Sequence, residues 1–177
     1  VLGWSRDIGD IPVNVLTAGR RAQIKCTWNL IVAPEAQLSE ISVDEYDALA
    51  VPGGFEEAGF YEDAYHEDFL KIIRQFHESK KIIASICVGA LPLGKSGILK
   101  NKKATTYHLL DGKRRNQLKS FGAYVQDQAI VVDDNIITST SPATALDVAF
   151  TLLRMLTSPD NEKKVKIGMG FLQDPGT

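Results

Sequence analysis

Residues 85–89 read Ser-Ile-Cys-Val-Gly, a thiol with a small residue two positions away on each side. The pattern small-x-nucleophile-x-small resembles the nucleophile elbow of hydrolases, with cysteine in place of serine. The spacing has a steric cause. A nucleophile raised on a sharp strand-to-helix turn needs small neighbours so that strand and helix can approach. At the start of a helix, the dipole and the free N–H groups favour a thiolate over a thiol. The same N–H groups can hold an oxyanion. The Val88 N–H is the first candidate donor, and Gly53 or Gly54 supplies a second if the Pro-Gly-Gly loop at 52–54 lies alongside. Cys87 as a buried structural thiol also fits, because free cysteine is among the most buried residue types.

A nucleophilic thiol needs a base. Of the three histidines, His108 ends the run KATTYH (103–108), two segments after Cys87, and so can reach the same sheet edge. His66 and His77 fall in or beside a helical pattern and read as surface residues. Cys26 opens a β-rich segment without an elbow and reads as structural. Two cysteines make neither a disulfide framework nor a metal motif, and Cys87 with His108 is too few ligands for a closed site. No cofactor or metal is expected.

The elements that must position these groups follow from periodicity. The runs 47–54 and 82–87 read as buried strands, each ending at one of the two loops above. Strands are also expected at 12–18, 26–34, 103–108, 123–126, 129–134 and 135–140, the last two joined by a tight turn at Asp134-Asn135. Helices are expected at 62–79, with Phe69, Ile72, Ile73 and Phe76 inward, after Cys87 with Pro92 near the first turn, and at 110–121. A further helix spans 141–157, capped by Ser141 and facing the core with Leu146, Ala149, Phe150, Leu153 and Leu156, and a short one spans 160–169. Strand–helix alternation implies an α/β fold, a mainly parallel sheet with helices on both faces and sites at the carboxyl ends of the strands.

The chain has 177 residues, 44% hydrophobic and 24% charged, with net charge −2, which suits one domain over 1–177. That charge gives no field for nucleic acid, and the basic run 113–119 reads as a solvated helix face. The longest apolar run, 82–93, is too short and too interrupted for a membrane span. A cytoplasmic, reducing setting is expected.

The segments YDALAVPGG, KKIIASICVGALPLGKSGILKNKKATTYH and IVVDDNIITSTSPATALDVAFTLLRML together resemble the ThiJ/PfpI superfamily over about residues 12 to 157. The resemblance implies a flavodoxin-like three-layer sandwich of the class I glutamine amidotransferase type. It implies Cys87 as the reactive elbow cysteine, with Gly53, Gly54 and Val88 framing the oxyanion pocket and His108 near a histidine that some members keep by the cysteine. It also implies a homodimer acting on a small-molecule substrate. Members' activities include peptidase or amidase, glyoxalase or deglycase, isocyanide hydration, chaperoning and stress sensing, and fold alone does not choose among these.

Two features depart from the pattern. Protease-like members carry His directly after the elbow Cys, whereas this chain has Val88, which weighs against a peptidase. Members also keep a glutamate after a first strand. This chain opens in the following helix, so the expectation is that further residues precede Val1. Glu56 or Glu57, on the loop after Gly54, is the alternative acid. The leading expectation is a cofactor-independent cysteine enzyme for small carbonyl or amide-like substrates. The alternatives are a non-enzymatic sensor or chaperone-like dimer with an oxidisable Cys87, and a family member whose cysteine is structural.

Overall fold

Side chains alternate across the central sheet, and that alternation builds two cores. The computed structural model describes residues 1–109 and 111–173. Three short strands come first: β1 (Ala18–Gly19), β2 (Ile24–Lys25) and β3 (Ile31–Val32). They are followed by β4 (Ala36–Gln37), β5 (Ala48–Val51), β6 (Ile82–Ser85) and β7 (Lys103–Ala104). The last three are β8 (Tyr124–Val125), β9 (Ile130–Asp133) and β10 (Ile136–Ser139). The helices are α1 (Leu2–Ile8), α2 (Phe60–Ala64), α3 (Glu67–Glu78), α4 (Ala90–Lys95), α5 (Lys113–Ser120), α6 (Ala145–Leu156) and α7 (Pro159–Gly168).

The four-stranded sheet runs β5-β6-β10-β9, parallel from β5 to β10 and antiparallel between β10 and β9. On β6, Ile83 joins Leu70, Ile73 and Phe76 of α3 and Leu91 and Leu93 of α4 in one core. Ala84 points the other way and joins Val148 and Leu152 of α6. On β10, Ile136 and Ile137 divide in the same manner. Helices therefore cover both faces, which is the expected three-layer arrangement. Fully burying each such Ile or Leu contributes about 1.5–3 kcal/mol.

Several expected elements are shorter than the apolar pattern. Of 12–18 only Ala18 enters a strand, pairing in parallel with Ala36, while Val15 and Leu16 stay exposed. Apolar β-branched residues make a strand only beside a partner backbone; the Thr17 carbonyl accepts the Ala36 N–H at 3.1 Å, and among the described residues no ladder extends back over 12–16. The 26–34 segment is a hairpin arm: Trp28 and Asn29 turn in the left-handed region and β3 folds back antiparallel on β2. Of 103–108 only the first two residues pair, with β8.

The expected helix at 62–79 breaks at His66, whose Nδ1 accepts the Asp68 N–H at 3.3 Å and starts α3 as a cap. Leu70 joins its buried face, while Phe69 is only partly buried. The expected helix at 110–121 spans α5, and Leu110 lies outside the described residues. Ser141 does not cap α6 with its side chain. Instead its carbonyl accepts Thr144 Oγ1 at 2.7 Å, and a 3-10 turn at Pro142–Thr144 precedes the helix. Leu146 is exposed, because the face of α6 toward the sheet is set by Val148 and Leu152.

α1 packs with α6 and α7, held by the buried Asn161 of α7. The Asn161 Oδ1 accepts the Asp10 and Ile11 N–H groups at 2.7 and 3.2 Å, and its Nδ2 donates to Ser5 Oγ at 3.0 Å.

Candidate active site

β5 and β6 end side by side, and the candidate site is built where they stop. β6 ends at Ser85, which is fully buried and donates to the Ile137 carbonyl at 3.3 Å. Ile86 N–H then donates to the Val51 carbonyl of β5 at 3.1 Å. The next residue, Cys87, has φ +58°, in the left-handed region that a side chain rarely adopts. Such a residue costs about 1–2 kcal/mol, and the surrounding ladder holds it. A 3-10 turn at Cys87–Gly89 leads into α4. The strained strand–turn–helix expected of an elbow is present.

The small residues around the turn are small for measurable reasons. A Cβ on Gly89 would lie 2.6 Å from the Val51 carbonyl oxygen and 2.9 Å from that of Pro52. A Cβ on Gly53 would lie 3.0 Å from the Ile86 carbonyl oxygen and 3.1 Å from the Cys87 Cβ. The Pro-Gly-Gly loop thus rests directly on the elbow. Gly54 serves another purpose: a Cβ there would strike the Phe60 ring at 2.3 Å. Gly53, Val88 and Cys87 are brought together, while Gly54 is the residue that seats Phe60.

Cys87 is half-buried. Burial pushes its thiol above the ordinary range, while the Val88 N–H and the more distant Arg114 guanidinium pull it down; burial wins. The sequence expectation of a thiolate favoured by the helix start is corrected here. The favourable N–H is present, but desolvation at the mouth of the core outweighs it.

His108 is exposed, and among the described residues no hydrogen bond joins it to Cys87. Its strand end is nevertheless tied to the elbow, because Thr106 Oγ1 donates to the Cys87 carbonyl at 2.9 Å. His66 is the α3 cap, and Cys26 sits in the β2–β3 hairpin with its sulfur near the Ile24 carbonyl. Among the described residues no three His, Cys, Asp or Glu side chains gather as metal ligands.

Glu56 reaches the site, but not the sulfur. It pairs with Arg114 at 2.6 Å and with Lys113 at 3.3 Å. Those two hydrogen-bonded cations hold its carboxyl below the ordinary range. Arg114 lies over the Tyr61 ring, 4.9 Å from its centroid. Tyr61 and Tyr65 stack at 5.0 Å, both with hydroxyls pushed up by burial. The basic run of α5 is therefore internally paired rather than simply solvated, with Arg115 bound to Asp127 at 2.5 Å. Tyr61 and Arg114 were not found from sequence. The available signal was three basic residues opening a helix without an acid.

This arrangement defines a class: an α/β sandwich with a cysteine elbow at the carboxyl end of its sheet and a Gly-Gly loop against it. The chain belongs to the DJ-1/PfpI family, whose sequence profile matches residues 6–155. It is similar to DJ-1alpha of Drosophila melanogaster, 30% identical over 169 residues, covering 94% of this chain and 75% of that one. It is also similar to an isonitrile hydratase of Pseudomonas putida, 29% identical over 175 residues, covering 93% of this chain and 72% of that one. Among solved structures, a ThiJ/PfpI family protein from Pseudomonas syringae superposes with a TM-score of 0.80 at 24% identity. That superposition covers 94% of this chain and 66% of the other. Among the described residues, no helix is long and apolar enough to cross a membrane.

Proposed function

We propose that the protein is a cofactor-independent enzyme in which Cys87 attacks a small electrophilic carbonyl or amide-like substrate. One observation carries this reading. Cys87 is held at φ +58° just past the end of β6, with Gly53 packed against its Cβ and the Val88 backbone nitrogen at the same turn. A non-glycine residue in that conformation costs free energy that a merely space-filling cysteine would not require.

Addition to a carbonyl runs through the thiolate, so the raised Cys87 thiol gives up its proton to a base as the bond forms. Sulfur bonds to the carbonyl carbon, the C=O electron pair moves to oxygen, and the thiol proton ends on that oxygen as a neutral hemithioacetal. The Val88 N–H, with Gly53 beside it, stabilises the oxygen as charge develops. His108, two residues beyond the Thr106 anchor, carries the proton between sulfur and oxygen. A relative named an isonitrile hydratase fits a small electrophile, and Val88 in place of histidine weighs against a peptide.

The rival reading is a non-enzymatic sensor. It needs the Cys87 thiolate to attack peroxide, the same ionisation that carbonyl addition needs and that burial disfavours, so turnover is what separates the two readings. The test compares wild type with Cys87→Ala on methylglyoxal and on a simple isonitrile. The expected result is turnover of at least one by the wild type and none by the variant. Turnover surviving in Cys87→Ala overturns the proposal, and selective oxidation of Cys87 without turnover of either favours the sensor.

The protein acts in the cytoplasm as a homodimer in this reading. Support comes from an exposed apolar ridge on the β2–β3 hairpin, with Trp28, Leu30 and Ile31 85%, 61% and 60% exposed. Phe55 lies beside it, 5.7 Å from the Trp28 ring. Such patches mark association surfaces. Sedimentation equilibrium is expected to give twice the chain mass, and a monomer at micromolar concentration contradicts the dimer.

A further inference from the structure

We propose that the Cys87 site selects electrophiles that carry a carboxylate, recognised by the Arg114 guanidinium and the Tyr61 hydroxyl. This deepens the reading of Cys87 as a nucleophile and rests on it.

The first observation is electrostatic. α5 opens Lys113-Arg114-Arg115, with Gly112 at its N-cap, no capping side chain and no acidic residue in its first turn. A helix N-terminus is the positive end of the dipole, so cations there are placed against the field. Arg114 is nevertheless kept with its side chain only 14% exposed. It is braced by the Tyr61 ring below, Glu56 at 2.6 Å and Gln117 at 2.9 Å. Lys113 and Arg114 share the single carboxylate of Glu56, so one positive charge is left over on this wall. A guanidinium has five N–H donors, more than Glu56 and Gln117 use.

The second observation is independent. The Tyr61 hydroxyl is buried and, among the described residues, has no hydrogen-bond partner. Leaving such a group unsatisfied costs about 1–3 kcal/mol. Tyr61 and Cys87 pack against the same core, and the loop that leads to Tyr61 rests on the elbow at Gly53, where a Cβ would lie 3.1 Å from the Cys87 Cβ. A hydroxyl that lacks an acceptor, beside a cation with charge to spare and a nucleophile, is completed by one group: a singly charged acceptor on the molecule that Cys87 attacks. A carboxylate accepts from Arg114 and Tyr61 together and neutralises the surplus charge.

Two alkylating reagents that differ only in this group provide the probe. Iodoacetate and iodoacetamide both react by forming the S–C bond as C–I breaks; iodide leaves and the thiol proton goes to solvent. At one pH the thiolate fraction cancels in the ratio of their rates. The iodoacetate-to-iodoacetamide ratio at Cys87, read by peptide mass spectrometry, is expected to exceed that at Cys26 by about tenfold, the worth of one charge-assisted hydrogen bond. Arg114→Gln should abolish the excess and Tyr61→Phe should reduce it. Glu56→Gln should raise it, a direction that a loosened fold does not produce. A ratio at Cys87 equal to that at Cys26 and unmoved by Arg114→Gln overturns the inference while leaving the nucleophile intact. If neither reagent alkylates Cys87, the nucleophile reading falls, and the inference with it.

Discussion

Gly89 has no room for a side chain, because the carbonyl oxygen of Val51 stands 2.6 Å from where its Cβ would be. The obstacle is backbone on both sides, since Pro52 closes the other approach, so the strand ends must move apart to admit even a methyl. Gly89→Ala is expected to destabilise the protein by about 1–3 kcal/mol in urea unfolding, the usual cost of overpacking. Gly3, with open space in α1, is the contrast: Gly3→Ala should stabilise by about 0.5–1 kcal/mol.

The Cys87 thiol sits above the ordinary range because of burial, so its pH profile has a definite sign. Alkylation by iodoacetamide should rise with pH through a midpoint above the unperturbed thiol value of about 8.5, with little thiolate at neutral pH. Arg114→Gln should move the midpoint further up, because it removes one of the two influences that lower it. By linkage, the raised thiol contributes stability that is complete below the unfolded-state pKa and is lost as pH rises through the folded one. Chemical denaturation at neutral and alkaline pH, with and without Cys87→Ala, checks that half.

Thr106 fixes the elbow from the far side through its hydroxyl on the Cys87 carbonyl. Thr106→Val is close in shape and removes only that bond. Its expected cost in stability is about 1 kcal/mol, with a larger fall in kcat than in affinity, since the bond positions the nucleophile without touching substrate.

His108 is exposed, so His108→Gln should leave stability unchanged. If His108 moves the proton, kcat falls by about 10²–10⁴-fold. Unfolding curves and steady-state kinetics on the same preparation separate the two readouts, and an unchanged kcat removes His108 from the mechanism.

Asn161 is buried and ties α1 to the more exposed 10–11 backbone. Asn161→Ala removes those bonds and should cost about 1–3 kcal/mol. Amide exchange over residues 1–11 should show the loss first.

The elbow was legible from sequence because its determinants are local. The thiol, its small neighbours and the apolar run before them occupy eight consecutive residues, 82–89, and strand–helix alternation along the chain pointed to helices on both faces of the sheet. The wall of the site was not legible in the same way. Glu56, Tyr61 and Arg114 meet only because the loop after Gly54 and the start of α5 converge on the same strand ends, and no periodicity encodes that. The raised thiol was missed for a related reason, since desolvation depends on what the whole fold stacks around Cys87. The strand expected at 12–18 is confined to its last residue because apolar β-formers need a ladder partner, and the one expected at 26–34 is interrupted by the left-handed turn at Trp28 and Asn29 that folds β3 back on β2.

The central claim is that Cys87 is a nucleophile held ready by its turn. The most direct test is to mix the wild type with methylglyoxal, quench rapidly in acid, and locate the adduct by mass spectrometry while following substrate loss. The account predicts a Cys87 adduct that forms and decays with turnover, with Cys26 unmodified and both signals absent in Cys87→Ser. Substrate consumed at an undiminished rate by Cys87→Ser would contradict it.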